Sequence, residues 1–321
     1  MQNGLSTSLK AGNSFAEGIT VLAILLVIIV IMPKGAPNPT VSPLQSSTEN
    51  PSGESISATK SPYEHHVFLG TGNAAYSYQP HEEYVTIDNS GRDPVNITSW
   101  QLKNGKDRRA YDFGSALRYF PADIATIGQA ALFISPWGLN MFQDVVLKTG
   151  ETAIITTGQT GPQLPHKIVS FKENICSGYL EDLPEYAFTP SLARQCPRPA
   201  DEPGVGAFDT KCRRFIERMA FCHTPEFDTR DREGDICYGC VDNEPLSGAC
   251  VAFIKNHFNY AGCITNHRND ADFSGRTWRV FLGRSWEMWA QEYEVIELFD
   301  QLGRLVDQHT YWHERPALHI L

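Results

Sequence analysis

All eight cysteines of this 321-residue chain fall in one window: Cys176, Cys196, Cys212, Cys222, Cys237, Cys240, Cys250 and Cys263. An even, clustered set points to disulfides formed in an oxidising compartment. It also divides the chain, because the first half has no cysteine and must fold around an apolar core of its own. Hydrophobic residues make up 41% and charged residues 20%, enough for one large domain or two small ones. The formal charge of −10 argues against nucleic acid as a partner, which calls for a basic surface.

Residues 19–32, "ITVLAILLVIIVIM", form an unbroken apolar run. As a helix it covers about 21 Å, against about 30 Å for a bilayer core. By length it suits a signal-peptide core as well as a span. The following "PKGAPNPT" has no small-x-small cleavage site, and Pro37 follows the one candidate cut after Ala36. An uncleaved anchor over 19–33 is therefore expected, with Gly18 and Pro33 completing a span in a locally thinned bilayer. Lys10, Glu17 and Lys34 give the positive-inside rule little to weigh. The cysteines set the orientation instead: residues 1–18 cytoplasmic, the folded region extracytoplasmic. Residues 34–62 are rich in Pro, Ser, Thr, Gly and Asn and read as a disordered tether. Its mean reach is on the order of 30 Å.

From residue 63 the pattern is β. Val85 and Ile87 alternate with Tyr84, Thr86 and Asp88, the period of a half-buried strand. "NSGRDP" is turn chemistry. "VNITSWQL" resumes the alternation, with Thr98, Trp100 and Leu102 on one face. "ETAIITTG" is a further strand, and "EVIELFDQLGRLVDQHTY" (294–311) reads as a hairpin. Many short strands between turns suggest a mainly β domain of sandwich type.

The stretch "EEYVTIDNSGRDPVNITSWQL" resembles the opening of a lamin-tail domain through Tyr84, Val85, Ile87, Asn89, Ile97, Ser99, Trp100 and Leu102. "LKTGETAIITTG" is similar to that family's next strand. The closing hairpin resembles the family's through Leu298, Asp300, Gly303, Val306, Asp307 and Tyr311. The layout of anchor, tether and domain also resembles that of surface proteins of small uncultured bacteria. The resemblance implies an immunoglobulin-like β-sandwich over 63–170 and 276–313, without an active site, cofactor or metal, serving in interaction, adhesion or scaffolding. Tyr84, Val85, Ile87, Trp100, Leu102, Leu298 and Val306 would be its core. A tail of residues 314–321 follows.

The chain departs from the family pattern at 171–275, which holds every cysteine. Asp209-Thr210 opens a helical stretch that stops near Pro225, and Ser247 opens another, with Val251, Ile254 and Phe258 at helical spacing. An antiparallel pair would join Cys212 to Cys263 and Cys222 to Cys250, leaving Cys176 with Cys196 and Cys237 with Cys240. Eight cysteines allow 105 connectivities, so the spacing alone does not fix this one.

Several motifs admit either chemistry or a plainer role. Cys237-x-x-Cys240 has no second such pair to complete a zinc site, His223 beside Cys222 being the one adjacent candidate, and no βαβ context for redox work. His267, Asp270 and Asp272 suit a polar loop, or else a cation site or the site of an envelope hydrolase or accessory subunit, which would need His223 or His257 nearby. His65-His66 reads as a solvated pair. Lys211, Arg213, Arg214 and Arg218 read as a solvated helix face, with contact to an anionic polymer as the alternative. Trp278, Trp286 and Trp289 read as packing residues, with glycan stacking as the alternative.

Overall fold

The structure, a computed structural model, describes residues 60–312 except 115, 160–167, 231–233, 236 and 238. The expected anchor, most of the tether and the C-terminal tail lie outside the described residues. Among the described residues no helix is long and apolar enough to cross a membrane.

Seventeen strands are described: β1 (Val67–Gly70), β2 (Tyr84–Asn89), β3 (Val95–Asn96), β4 (Gln101–Asn104), β5 (Tyr111–Asp112), β6 (Leu117–Arg118), β7 (Ile124–Thr126), β8 (Ala130–Ala131), β9 (Phe142–Gln143), β10 (Val146–Leu147), β11 (Thr152–Thr156), β12 (Phe171–Asn174), β13 (Cys240–Val241), β14 (Glu244–Pro245), β15 (Ser274–Phe281), β16 (Tyr293–Phe299) and β17 (Leu305–Trp312). A seven-stranded sheet runs β1-β2-β11-β15-β12-β8-β9, and a four-stranded sheet runs β17-β16-β4-β7. The chain is thus mainly β, and strands from before and after the cysteine-rich region share both sheets. β15 pairs parallel with β11 and antiparallel with β12, and β16 pairs with β4 in the register Leu298↔Leu102.

Alternation works as read in β2: Val85, Ile87 and Asn89 turn inward and Tyr84, Thr86 and Asp88 are half-exposed. Val85, Ile87, Trp100, Leu102, Leu298 and Val306 all lie in one hydrophobic cluster that takes residues from both sheets. Tyr84 is corrected: it sits on the opposite face of β2 and is only partly buried.

The strand expected over 95–102 is also corrected, because a turn splits it. Ser99 has φ 68°, and Trp100 N–H donates to Ile97 O at 3.1 Å. Side chains hold this turn: Asn96 Oδ1 accepts from Thr98 N at 2.9 Å and Thr98 Oγ1 accepts from Val145 N at 2.7 Å. As a result β3 pairs with β10, while β4 enters the four-stranded sheet. Trp100 remains fully buried, with its ring centroid 5.1 Å from that of Tyr63 and its indole N–H on Gln301 Oε1 at 2.9 Å.

Among the described residues the cysteine-rich lobe holds four α-helices: α1 (Gly178–Glu181), α2 (Thr210–Arg218), α3 (Gly248–His257) and α4 (Tyr260–His267). Asp209 and Ser247 cap α2 and α3 as read, accepting from Cys212 N at 2.9 Å and Cys250 N at 3.4 Å. The second helix does not run through to Cys263. Asn259 leaves the helical region at φ −156° and caps a new helix, accepting from Gly262 N at 2.8 Å. A side chain at Gly262 would collide with the Asn256 and His257 carbonyls, so glycine permits this sharp break.

That break changes the disulfides. The bonds are Cys176–Cys263, Cys196–Cys222, Cys212–Cys250 and Cys237–Cys240. Three of the four expected pairs are corrected. Cys263 is carried by the new helix toward Cys176. Cys222 lies beyond the early end of α2 and reaches Cys196. Cys212 and Cys250, both at helix starts, bond to each other with Cα atoms 5.9 Å apart. Two small apolar clusters form around these bridges, one with Phe215, Ile216 and Ile254 and one with Tyr179, Ile264 and Phe273.

Truncating Trp100 to alanine should cost about 3–5 kcal/mol, read as a lowered midpoint in urea unfolding; an unchanged midpoint would place this ring outside the core. Peptide mapping without reductant should recover the four linkages above.

Candidate functional site

Three inward-facing polar side chains, Asn89, Asp300 and Asp307, bind backbone. Asn89 is buried; its amide donates to Asp93 O at 2.9 Å and Leu147 O at 2.8 Å, and its oxygen accepts from Gly91 N at 2.9 Å. Asp300 shapes the β16–β17 turn, accepting from Leu302 N and Arg304 N, each at 3.0 Å, with Gly303 at φ 73°. It also accepts from Ser61 Oγ at 2.9 Å and Arg304 Nε at 2.8 Å. Burial pushes the Asp300 pKa up, but these bonds prevail and hold it below the usual value. Asp307 joins the two sheets, accepting from Leu69 N on β1 at 2.7 Å.

Two buried glutamates clamp residues 288–295. Glu294 accepts from Gly105 N at 2.9 Å, Ala290 N at 2.9 Å, Val295 N at 3.0 Å and the Arg109 guanidinium at 2.7 Å. Glu83 accepts from Met288 N at 2.7 Å and Trp289 N at 3.1 Å. Among the described residues no cation is paired with Glu83, and desolvation pushes its pKa up to about 7.

His267 and Asp270 do come together, at 2.8 Å between Nδ1 and Oδ2. Their third partner is Glu202, whose Oε1 lies 2.8 Å from His267 Nε2. Desolvation pulls the His267 pKa down, but the bonds to Asp270 and Glu202 outweigh it, and the net shift is upward. Asp272 is exposed, and His223 lies instead near Asp182 and Asp242, at 3.3 Å and 3.4 Å. His257 stacks on Phe253, with ring centroids 3.9 Å apart. The cluster that the hydrolase alternative needs, with His223 or His257 beside His267, is therefore not assembled. With both ring nitrogens against carboxylates, His267 links two segments of the lobe. Glu202, 65 residues away in sequence, carried no local signal.

Cys237 and Cys240 bond to each other, so neither sulfur is left as a thiolate ligand. Among the described residues no group of three or more His, Cys, Asp or Glu side chains could hold a metal ion. Arg218 pairs with Glu244 at 3.0 Å, and Lys211 donates to Pro245 O. Trp278 and Trp289 are buried, while Trp286 is 80% exposed.

No protein-family model matches the chain, and no curated protein matches it.

The Glu83 site makes stability depend on pH. Its folded pKa of about 7 lies above the ordinary value of 4.5, so the protonated form favours the fold. That contribution is complete below pH 4.5 and is lost as pH rises through about 7. Glu83→Gln should remove a decline on the order of 3 kcal/mol, seen by comparing urea unfolding of both proteins at about pH 4 and about pH 8.

Proposed function

We propose that this chain is a membrane-anchored, extracytoplasmic protein carrying a lamin-tail-like β-sandwich of immunoglobulin type, and that it acts as a non-enzymatic interaction, adhesion or scaffold module. One observation carries the reading. The opening and closing blocks of the lamin-tail resemblance lie almost two hundred residues apart, yet Leu102 pairs with Leu298, and Trp100 bonds to Gln301. The polar members Asn89, Asp300 and Asp307 bind backbone, as residues that shape a scaffold do. Four disulfides support an oxidising compartment, and so an N-terminus inside and a folded region outside. The partner is an envelope or extracellular protein or a glycan, with nucleic acid disfavoured by the charge of −10.

The runner-up, an envelope hydrolase or accessory subunit with a site at His267, Asp270 and Asp272, meets a chemical obstacle. An imidazole that bonds carboxylates through both nitrogens has no free nitrogen with which to take a proton from water or a nucleophile.

Membranes washed with carbonate should retain the full chain, and protease added outside intact cells should cut it. A soluble mature protein starting near residue 37 would establish a cleaved signal instead. Hydrolysis of envelope material that disappears in His267→Ala would replace the scaffold reading with the enzymatic one.

A further inference from the structure

Between Asp123 and Asp144 the chain has no Asp, Glu, Lys or Arg. Part of this uncharged stretch connects β8 to β9, and beyond the half-buried Phe133 and Ile134 its large apolar side chains are exposed. Leu139 is 85% exposed, Met141 86% and Trp137 57%, with Leu132 and Phe142 exposed beside them. Scattered apolar side chains on a surface are ordinary, but a contiguous uncharged set marks a contact site.

The loop is built to hold this shape. Asn140 Oδ1 accepts from Ser135 N at 2.8 Å, and Ser135 O accepts from Gly138 N at 3.2 Å. Gly138 sits at φ 86°, and nothing lies within 4 Å of where a Cβ would be, so this turn projects into open space. The cysteine-rich lobe braces the base. The Tyr260 hydroxyl donates to Ile134 O at 2.9 Å and accepts from Ile134 N at 3.1 Å. Phe133 meets Phe273 edge-on, with ring centroids 5.9 Å apart. The Arg268 guanidinium lies 5.0 Å from the Trp137 ring centroid. Tyr260 is on α4, which Cys263 ties to Cys176.

We infer that this loop is a contact surface for a phospholipid bilayer. A convex tip with Leu139 and Met141 foremost suits acyl chains, which need no preformed groove. Trp137 beside Arg268 suits the interface, where an indole sits at headgroup level and a guanidinium meets phosphate. The inference rests on the anchoring reading: a domain tethered by residues 19–33 stays within reach of the bilayer, so a shallow contact at high local concentration is sufficient.

The test uses the full chain reconstituted in vesicles of phosphatidylcholine and phosphatidylglycerol, with ordinary or brominated acyl chains. The chain has six tryptophans, the first being Trp100, so none reports on the apolar N-terminal run. Brominated lipid should quench part of the tryptophan emission, and Trp137→Phe should remove most of that quenching. Leu139→Asp combined with Met141→Asp should abolish the quenching without shifting the unfolding curve, since both side chains are exposed. Equal emission in the two vesicle types, with the chain retained after a carbonate wash, overturns the bilayer contact and assigns the loop to a protein partner. Quenching that Trp137→Phe leaves unchanged also overturns it. Release of the chain by the wash, with quenching present beforehand, overturns the anchor and keeps the loop contact.

Discussion

Arg279 is an arginine with almost no exposure, set in β15 in the interior of the seven-stranded sheet. Its guanidinium pairs with the buried Glu173 on the adjacent β12 and donates to Pro190 O at 2.6 Å and Ser191 O at 3.0 Å. β15 is the strand on which the chain returns from the cysteine-rich lobe, and it separates β11 from β12. Without it the large sheet divides. A buried pair is not a strong source of net stability, but an unpartnered charge at that depth typically costs about 3–5 kcal/mol. A slip of one residue would turn Arg279 away from Glu173 and Trp278 out of the core, so charge and apolar burial select the same register.

Inward-facing carboxylates do most of the joining elsewhere. Glu83 and Glu294 grip the segment before β16, Asp300 shapes the last turn, and Asp307 links the sheets. The acidic composition read from the sequence as a surface property is thus partly interior. Among the described residues, Glu294 receives three backbone N–H groups and a guanidinium, while Glu83 receives backbone N–H groups and no cation. Two glutamates of similar burial therefore meet different electrostatic surroundings.

What could be read in advance was local and periodic. The face of β2, the caps at Asp209 and Ser247 and the turn around Gly303 each follow from residues a few positions apart. What escaped was set by contacts distant in sequence or by unusual backbone. Ser99 takes positive φ because flanking side chains satisfy the turn, and no period announces this. The cysteine count implied four bridges, but three of the pairings depended on the break at Asn259 and on the early end of α2. Glu202 reaches His267 only through the fold of the lobe. The apolar loop at 132–142 did have a signal, a long absence of charge, but no helical or strand period marked it.

The bond from Leu69 N–H to Asp307 has a further consequence at the border of the large sheet. β1 is an outer strand, and its outward N–H groups at Val67 and Leu69 are taken by Tyr63 O and by Asp307. Outer strands with free donors template the addition of foreign strands. Here those two donors are already engaged, and a carboxylate stands where an incoming carbonyl would have to approach. Many copies of this domain could crowd one surface without fusing along this border into a continuous sheet.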